Sequence, residues 1–317
     1  MTRRPRRYWN AGHERHELDL GSKSLQRDDF YLLEYLLRFN YPVQRLSLAR
    51  CFLTDADALG LVEALRSNFV LTALDLSRTK ITDATGNLLA ASLAENETIK
   101  DLDLRLNDLT KAAAGRLAKA CRGAPTLETL NGLPVRGYLA RPPDAVELSG
   151  LELRVPEVIM LRDVLREAKH VLTKVDVSQN LLDADAVAVV AEMASFHVNL
   201  KWLDLSKNKA GPDGVEHISK MLATNRSLVE LNVAENDATA GGERRGVSAL
   251  LDVLRKNTTL TALDVRGNGI DEGREKELQA KVTVNRALTH TPNSFVSFLD
   301  ARYAPDAFEY FRGADIP

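Results

Sequence analysis

The chain has 317 residues, of which 44% are hydrophobic and 27% charged, as is typical of a folded globular protein. Its formal net charge of −2 gives it no general attraction to nucleic acid or to a membrane surface. The sequence shows no apolar run of membrane-spanning length and no secretory leader, and its two cysteines, Cys51 and Cys121, are too few for a disulfide framework.

The first segment, residues 1–14, is a basic arm. Four arginines and two aromatic residues precede its first acidic residue: Arg3, Arg4, Arg6, Arg7, Tyr8 and Trp9. Such an arm can bind phosphate or an acidic protein surface, and it also has the arginine-rich composition of an organellar targeting segment. A disordered or capping arm without a binding role is the third interpretation, and all three remain open at this point.

From residue 15 to about residue 286 the sequence repeats itself, mostly every 28 residues. The first apolar residue of each L-x-L core occurs ten times, at Leu18, Leu46, Leu74, Leu102, Leu130, Val146, Val175, Leu203, Leu231 and Leu263. The clearest copy runs from Leu71 to Ile81 and follows the pattern L-x-x-L-x-L-x-x-N-x-L, with Thr79 at the Asn position. Ten copies in register predict a solenoid in which each repeat packs on its neighbours.

Each repeat is predicted to contain a strand followed by a helix. Alternation within the core points Leu74 and Leu76 to the same side of a short strand. The following residues have helical spacing, with predicted apolar stripes at Leu88, Leu89, Ala91 and Leu93 in the third repeat and at Val215, Ile218 and Leu222 in the eighth. Neither element can bury its apolar side alone, so we expect the repeats to stack.

This 28-residue repeat with a full helix resembles the ribonuclease-inhibitor-like subfamily of leucine-rich-repeat proteins, which includes Ran GTPase-activating proteins and tropomodulin C-terminal domains. The resemblance implies an α/β solenoid of horseshoe shape, with a parallel inner sheet, outer helices and a protein partner on the concave face. Cys51 stands at the Asn position, where cysteine is an accepted structural substitute. We find no nucleotide-binding, hydrolase or metal-binding motif, and we expect a non-enzymatic protein without a cofactor or metal.

The fifth repeat departs from the pattern, because Leu130 and Val146 are only 16 residues apart. Two consecutive prolines and two glycines in this interval predict that its helix is missing. The interruption divides the predicted solenoid into sub-blocks 15–144 and 145–286. It is either a tolerated deletion without a function, or a functional feature that serves as a hinge or as a docking notch. It also resembles interrupted repeats of protist and algal proteins, many of which are cytoskeletal or ciliary, and so implies a scaffold in such an assembly.

The outward positions of the inner sheet supply the candidate binding residues. The position after the first core residue is acidic in seven of the ten repeats, which predicts an acidic strip for a basic partner or a feature that belongs to the repeat itself. Trp202 precedes Leu203 and is expected on the concave face beside Lys174 and Glu230, either exposed as a candidate binding hot spot or packed on neighbouring aliphatic side-chain stems. The full predicted set is Asp75, Asp103, Arg105, Lys174, Asp176, Trp202, Asp204, Glu230 and Arg266.

The last segment, residues 287–317, is rich in aromatic residues, which are rare in disordered tails. The residues expected to pack are Phe295, Phe298, Phe308, Tyr310 and Phe311. They are predicted to cap the last repeat or to dock on a neighbouring subunit.

Two other functions remain open. The resemblance to Ran GTPase-activating proteins implies a regulator of a small GTPase, although those proteins end in an acidic tail and this chain does not. The basic arm would suit a ribonucleoprotein component that binds phosphate. We expect a cytoplasmic protein, with cytoskeletal or ciliary placement or organellar targeting by the arm as alternatives.

Overall fold

The computed structural model describes residues 16–168 and 170–290. Over these residues, ten short strands alternate with ten helices. The strands are β1 Glu17–Asp19, β2 Arg45–Ser47, β3 Ala73–Asp75, β4 Asp101–Asp103, β5 Thr129–Leu130, β6 Ala145–Glu147, β7 Lys174–Asp176, β8 Trp202–Asp204, β9 Glu230–Asn232 and β10 Ala262–Asp264. The helices are α1 Arg27–Arg38, α2 Asp55–Leu65, α3 Asp83–Leu93, α4 Lys111–Gly123, α5 Val135–Ala140, α6 Val155–Val164, α7 Ala184–Phe196, α8 Gly211–Thr224, α9 Arg245–Leu254 and α10 Glu272–His290. The predicted alternation of strand and helix is confirmed, except in the fifth repeat, where no helix was predicted.

The chain divides into two compact units, residues 1–141 with 159–164, and residues 142–158 with 165–317. The first sheet has the strand order β1-β2-β3-β4-β5, and the second has the order β10-β9-β8-β7-β6. All neighbouring strands are parallel, and within each sheet the core residue of one repeat pairs with that of the next, as Leu46 does with Leu74 and Leu203 with Leu231. Within the described ranges, no helix combines the length and the apolar character needed to cross a membrane.

The core forms where the strand leucines meet one stripe of each helix. Leu74 and Leu76 are both buried, and the predicted stripe of Val215, Ile218 and Leu222 in α8 is buried as well. The predicted stripe in α3 is wrong in detail. Its buried residues are Thr85, Gly86, Leu89, Ser92 and Leu93, while Ala91 is exposed. Thr85 and Ser92 can be buried because their hydroxyl groups donate to the Asp55 carboxylate and to the Val62 carbonyl.

Buried asparagine side chains join the turns that follow the strands. The side-chain amide of each donates to a backbone carbonyl of the preceding repeat at 2.7–3.0 Å; these residues are Asn107, Asn180, Asn208, Asn236 and Asn268. Each amide therefore satisfies backbone groups that the bend of the chain leaves without strand partners. Cys51 occupies the same position, and its thiol donates to the Leu20 carbonyl at 3.1 Å, which confirms its structural role.

A second series of asparagines, which the sequence analysis missed, lies at the other end of the repeats. Asn68, Asn96, Asn225 and Asn257 each donate to a carbonyl at the end of the preceding helix and accept from backbone N–H groups two and three residues ahead. Each stands six residues before a first core residue, and this spacing was the available signal. His197 takes the position in the seventh repeat, with its ring Nδ1 3.3 Å from the Ala168 carbonyl oxygen.

The fifth repeat has a helix, so the prediction that it lacks one is wrong. Helix α5 has only six residues, and its prolines flank it instead of interrupting it: Pro134 is the N-cap residue, and Pro142 and Pro143 follow its end. A proline at the beginning of a helix costs no hydrogen bond, since the first N–H groups have no helical partner. The strand of this repeat is shortened instead, because the Asn131 side chain turns inward and accepts from the Leu104 N–H at 2.6 Å.

Candidate protein-binding face

The second sheet presents two rows of outward side chains, since residues on either side of a buried core residue point away from it. Across β6 to β10, the row before the core residue reads Ala145, Lys174, Trp202, Glu230 and Ala262. The row after the core residue reads Glu147, Asp176, Asp204, Asn232 and Asp264. The register thus brings together Lys174, Asp176, Trp202, Asp204 and Glu230, five of the predicted site residues, on three adjacent strands. We call this surface the Trp202 face.

Trp202 lies on β8, the middle strand of the five. The Lys174 ammonium group is 4.6 Å from the centroid of its ring and 3.2 Å from the Glu147 carboxylate. Since the lysine lies over the ring, Trp202 is half-buried rather than fully exposed. The lysine and its carboxylate partner hold the ring in place on the sheet.

The aspartates and the asparagine that recur directly after the core residues have a local structural role. In seven repeats, the side-chain oxygen accepts from the backbone N–H two residues ahead at 2.8–3.1 Å; these residues are Asp19, Asp75, Asp103, Asp176, Asp204, Asn232 and Asp264. Aspartate and asparagine are the residues that make this short turn. Their recurrence therefore follows from the end of the strand, whether or not a partner also uses them.

The charges of this surface are partly paired. The guanidinium group of Arg266 lies 2.6 Å from the Asp264 carboxylate, and its hydrogen bonds lower the pKa of Asp264. Arg105 and Asp103 form the equivalent pair in the first unit, also at 2.6 Å. Among residues 16–168 and 170–290, no cation forms an ion pair with Asp176, Asp204 or Glu230, so the Trp202 face keeps an excess of negative charge.

Three further predicted residues, Asp75, Asp103 and Arg105, lie in the first unit, on a different sheet from Trp202. Asp75 and Asp103 are paired in the register of β3 and β4. Arg45 lies 4.0 Å from both Glu17 and Asp101 on the same surface. The nine predicted residues therefore belong to both sheets, three to the first and six to the second.

The two terminal candidates lie outside the described residues. They are the basic arm with Arg3, Arg4, Arg6 and Arg7, and the tail aromatics Phe295, Phe298, Phe308, Tyr310 and Phe311. Over the part of the chain that the structure describes, no three histidine, cysteine, aspartate or glutamate residues are grouped as a metal ion would require.

An exposed group of aromatic rings in the first unit was not foreseen. Tyr35, Phe39, Tyr41 and Phe69 are 49%, 59%, 46% and 70% exposed, and we call them the aromatic patch. The signal was the composition of α1 and its exit, which hold more apolar residues than the single buried stripe of Phe30, Leu33 and Leu37 can use. An exposed apolar cluster of this kind commonly marks a contact surface.

Comparisons with known proteins identify the repeat. A family model described as Leucine Rich repeat matches residues 67–86, 95–118 and 256–275, so that both units contain a match. A search of curated protein sequences found no match.

Solved structures give remote likenesses. The chain is similar to the tropomodulin C-terminal domain of Caenorhabditis elegans, with 10% identity, 50% of this chain and 98% of that chain covered, and a TM-score of 0.45. It is also similar to a structure of leiomodin-1 actin-binding site 2, with 14% identity, 83% and 92% coverage, and a TM-score of 0.23. With repeat-model matches in both units and ten strand–helix repeats in register, the chain is a leucine-rich-repeat protein.

Proposed function

We propose that this chain is a non-enzymatic scaffold that holds a protein partner on the Trp202 face. The observation that carries the proposal is the tryptophan itself, partly accessible at the middle of a parallel sheet and stacked against Lys174 at 4.6 Å. Tryptophan dominates binding energy at many interfaces, because it buries a large ring at little cost in conformational entropy. A ring already held by a neighbouring lysine loses even less freedom on binding.

The surrounding charges favour a partner segment that contains lysine or arginine. Asp176, Asp204 and Glu230 surround the tryptophan on three strands without a described counter-ion. A basic segment would pair with these carboxylates, and the attraction would weaken as salt is added, since exposed charges are screened within about 10 Å at 0.1 M ionic strength.

The test is crosslinking mass spectrometry on partners retained by the intact chain, followed by affinity measurement with the partner so identified. Trp202→Ala should weaken binding by about tenfold or more, the loss expected for a hot-spot residue. Phe196→Ala is the matched control, because Phe196 is a 57% exposed aromatic residue of the same unit at the end of α7. Equal affinity of the wild type and Trp202→Ala would refute the proposal.

The salt dependence tests the choice of partner chemistry separately. Asp176→Asn with Asp204→Asn should flatten the fall of affinity with ionic strength and keep the hydrogen bonds to the turn, since asparagine makes the same bond at Asn232. A partner that binds Trp202 with no salt dependence would leave the scaffold role intact and refute the basic segment.

A cytoskeletal or ciliary assembly is the more specific setting that we propose. Its support is the shortened fifth repeat, with 16 residues between Leu130 and Val146. Co-sedimentation of the intact chain with actin filaments and with microtubules tests it, and absence from both pellets would count against this setting.

A further inference from the structure

The aromatic patch is a compact cluster on the first unit. The ring centroid of Tyr35 lies 4.5 Å from that of Phe39 and 6.1 Å from that of Tyr41. Phe69 joins them through its backbone N–H, which donates to the Asn40 side chain at 2.9 Å. The nearby Arg38 is already paired with Glu34 at 2.7 Å.

Three other accessible rings of the described residues are covered by a cation. Arg27 lies 5.9 Å from the ring centroid of Tyr31, Lys80 lies 4.2 Å from that of Phe52, and Lys174 covers Trp202. No cation of residues 16–168 and 170–290 lies over a ring of the aromatic patch. Arginine is well suited to such rings, because its planar guanidinium group is weakly hydrated and stacks on aromatic faces.

The chain enters the described fold beside this patch. The His16 ring Nδ1 is 3.1 Å from the carbonyl oxygen of Pro42, the residue that follows Tyr41, and the His16 carbonyl accepts from the Gln44 N–H at 2.7 Å. Trp9 precedes His16 by seven residues, which span up to about 24 Å when extended. The four arginines and Trp9 of the basic arm are therefore tethered within reach of the patch.

The size of the patch favours a short segment over a second copy of the chain. Four aromatic side chains of about 200 Å² each, roughly half exposed, offer about 450 Å². A stable interface between two proteins needs about 800 Å² from each partner. A tethered segment also needs less contact area, because its local concentration is already high.

We propose that the basic arm folds back over the aromatic patch of its own chain, with its arginines and Trp9 stacked on the exposed rings. The arm would thereby cover the apolar surface of the first repeats. The proposal does not depend on the Trp202 face.

The experiment uses Trp9 as a fluorescent reporter in the full chain. The protein has two tryptophans, so Trp202→Phe leaves Trp9 as the only one. In the folded protein we expect Trp9 to emit at shorter wavelength than in urea and to be at least about twofold less accessible to acrylamide. Phe39→Ser with Phe69→Ser should restore the emission and quenching of the unfolded chain.

Phe196→Ser is the control, because it removes a similarly exposed ring of the second unit and should leave Trp9 unchanged. Circular dichroism establishes that each variant is folded. Replacement of Arg3, Arg4, Arg6 and Arg7 by serine should make Trp9 as accessible to acrylamide as the substitutions in the aromatic patch do. The proposal is overturned if Trp9 is as accessible to acrylamide in the folded protein as in urea. It is also overturned if the variant with Phe39→Ser and Phe69→Ser protects Trp9 as well as the wild type does. Loss of protection on about hundredfold dilution would also overturn it, since it would assign the arm to a second copy.

Discussion

The asparagines that follow the strands should be among the most sensitive positions of the fold, and Asn180 tests this best. Its amide donates to the Leu148 carbonyl at 2.8 Å, and its oxygen accepts from the Leu153 N–H at 3.0 Å. Both backbone groups belong to buried residues. Asn180→Ala removes these partners, and each buried group left unpaired costs about 1–3 kcal/mol, so the free energy of unfolding should fall by about 2–6 kcal/mol.

Thermal and urea unfolding followed by circular dichroism measure this loss. For a unit of this size, about 2 kcal/mol corresponds to a fall in melting temperature of at least about 4 °C. Asn199→Ala is the matched control, because Asn199 is exposed and makes a single side-chain bond, to the His170 carbonyl at 2.8 Å. If both variants unfold within about 0.5 kcal/mol of the wild type, the side chain of Asn180 does not hold the repeats together as argued.

Three further predictions concern packing, pH and thiol chemistry. Gly246→Ala should lower the free energy of unfolding, measured with urea, by about 1–3 kcal/mol, because the added carbon would lie 2.4 Å from the Pro212 carbonyl oxygen. Gly115→Ala is the control, because the added carbon would meet open space there, and this variant should be neutral or stabilising. Burial lowers the pKa of His197, so stability should decline as pH falls below about 6.5, where the unfolded chain takes up the proton first. His197→Asn should reduce this decline of the free energy of unfolding between pH 7 and 5. The same pH dependence in the variant and the wild type would show that His197 does not cause it. Burial raises the pKa of Cys121 to about 12, so a thiol reagent at pH 8 should label it only after unfolding.

The sequence by itself determined the repeat and its register. Ten core residues at regular spacing located ten strands, and the alternation around Leu74 and Leu203 showed which side of each strand is buried. This was possible because in a stacked repeat each contact is made with the equivalent residue of the next copy, so that a one-dimensional period specifies the packing. The role of Cys51 followed for the same reason, since its position in the repeat determines its bonding partner.

Only the tertiary structure decided how the outward side chains are used. The acidic positions proved to brace the turns at the strand ends, as Asp204 does for the Ser206 N–H, and Arg266 proved to be paired with Asp264. A six-residue helix such as α5 is too short to be stable by propensity, so its existence depends on packing that composition does not reveal. Ion pairs, stacked rings and short helices depend on which rotamers and neighbours are available once the repeats are stacked, whereas the burial of leucine depends only on its place in the period.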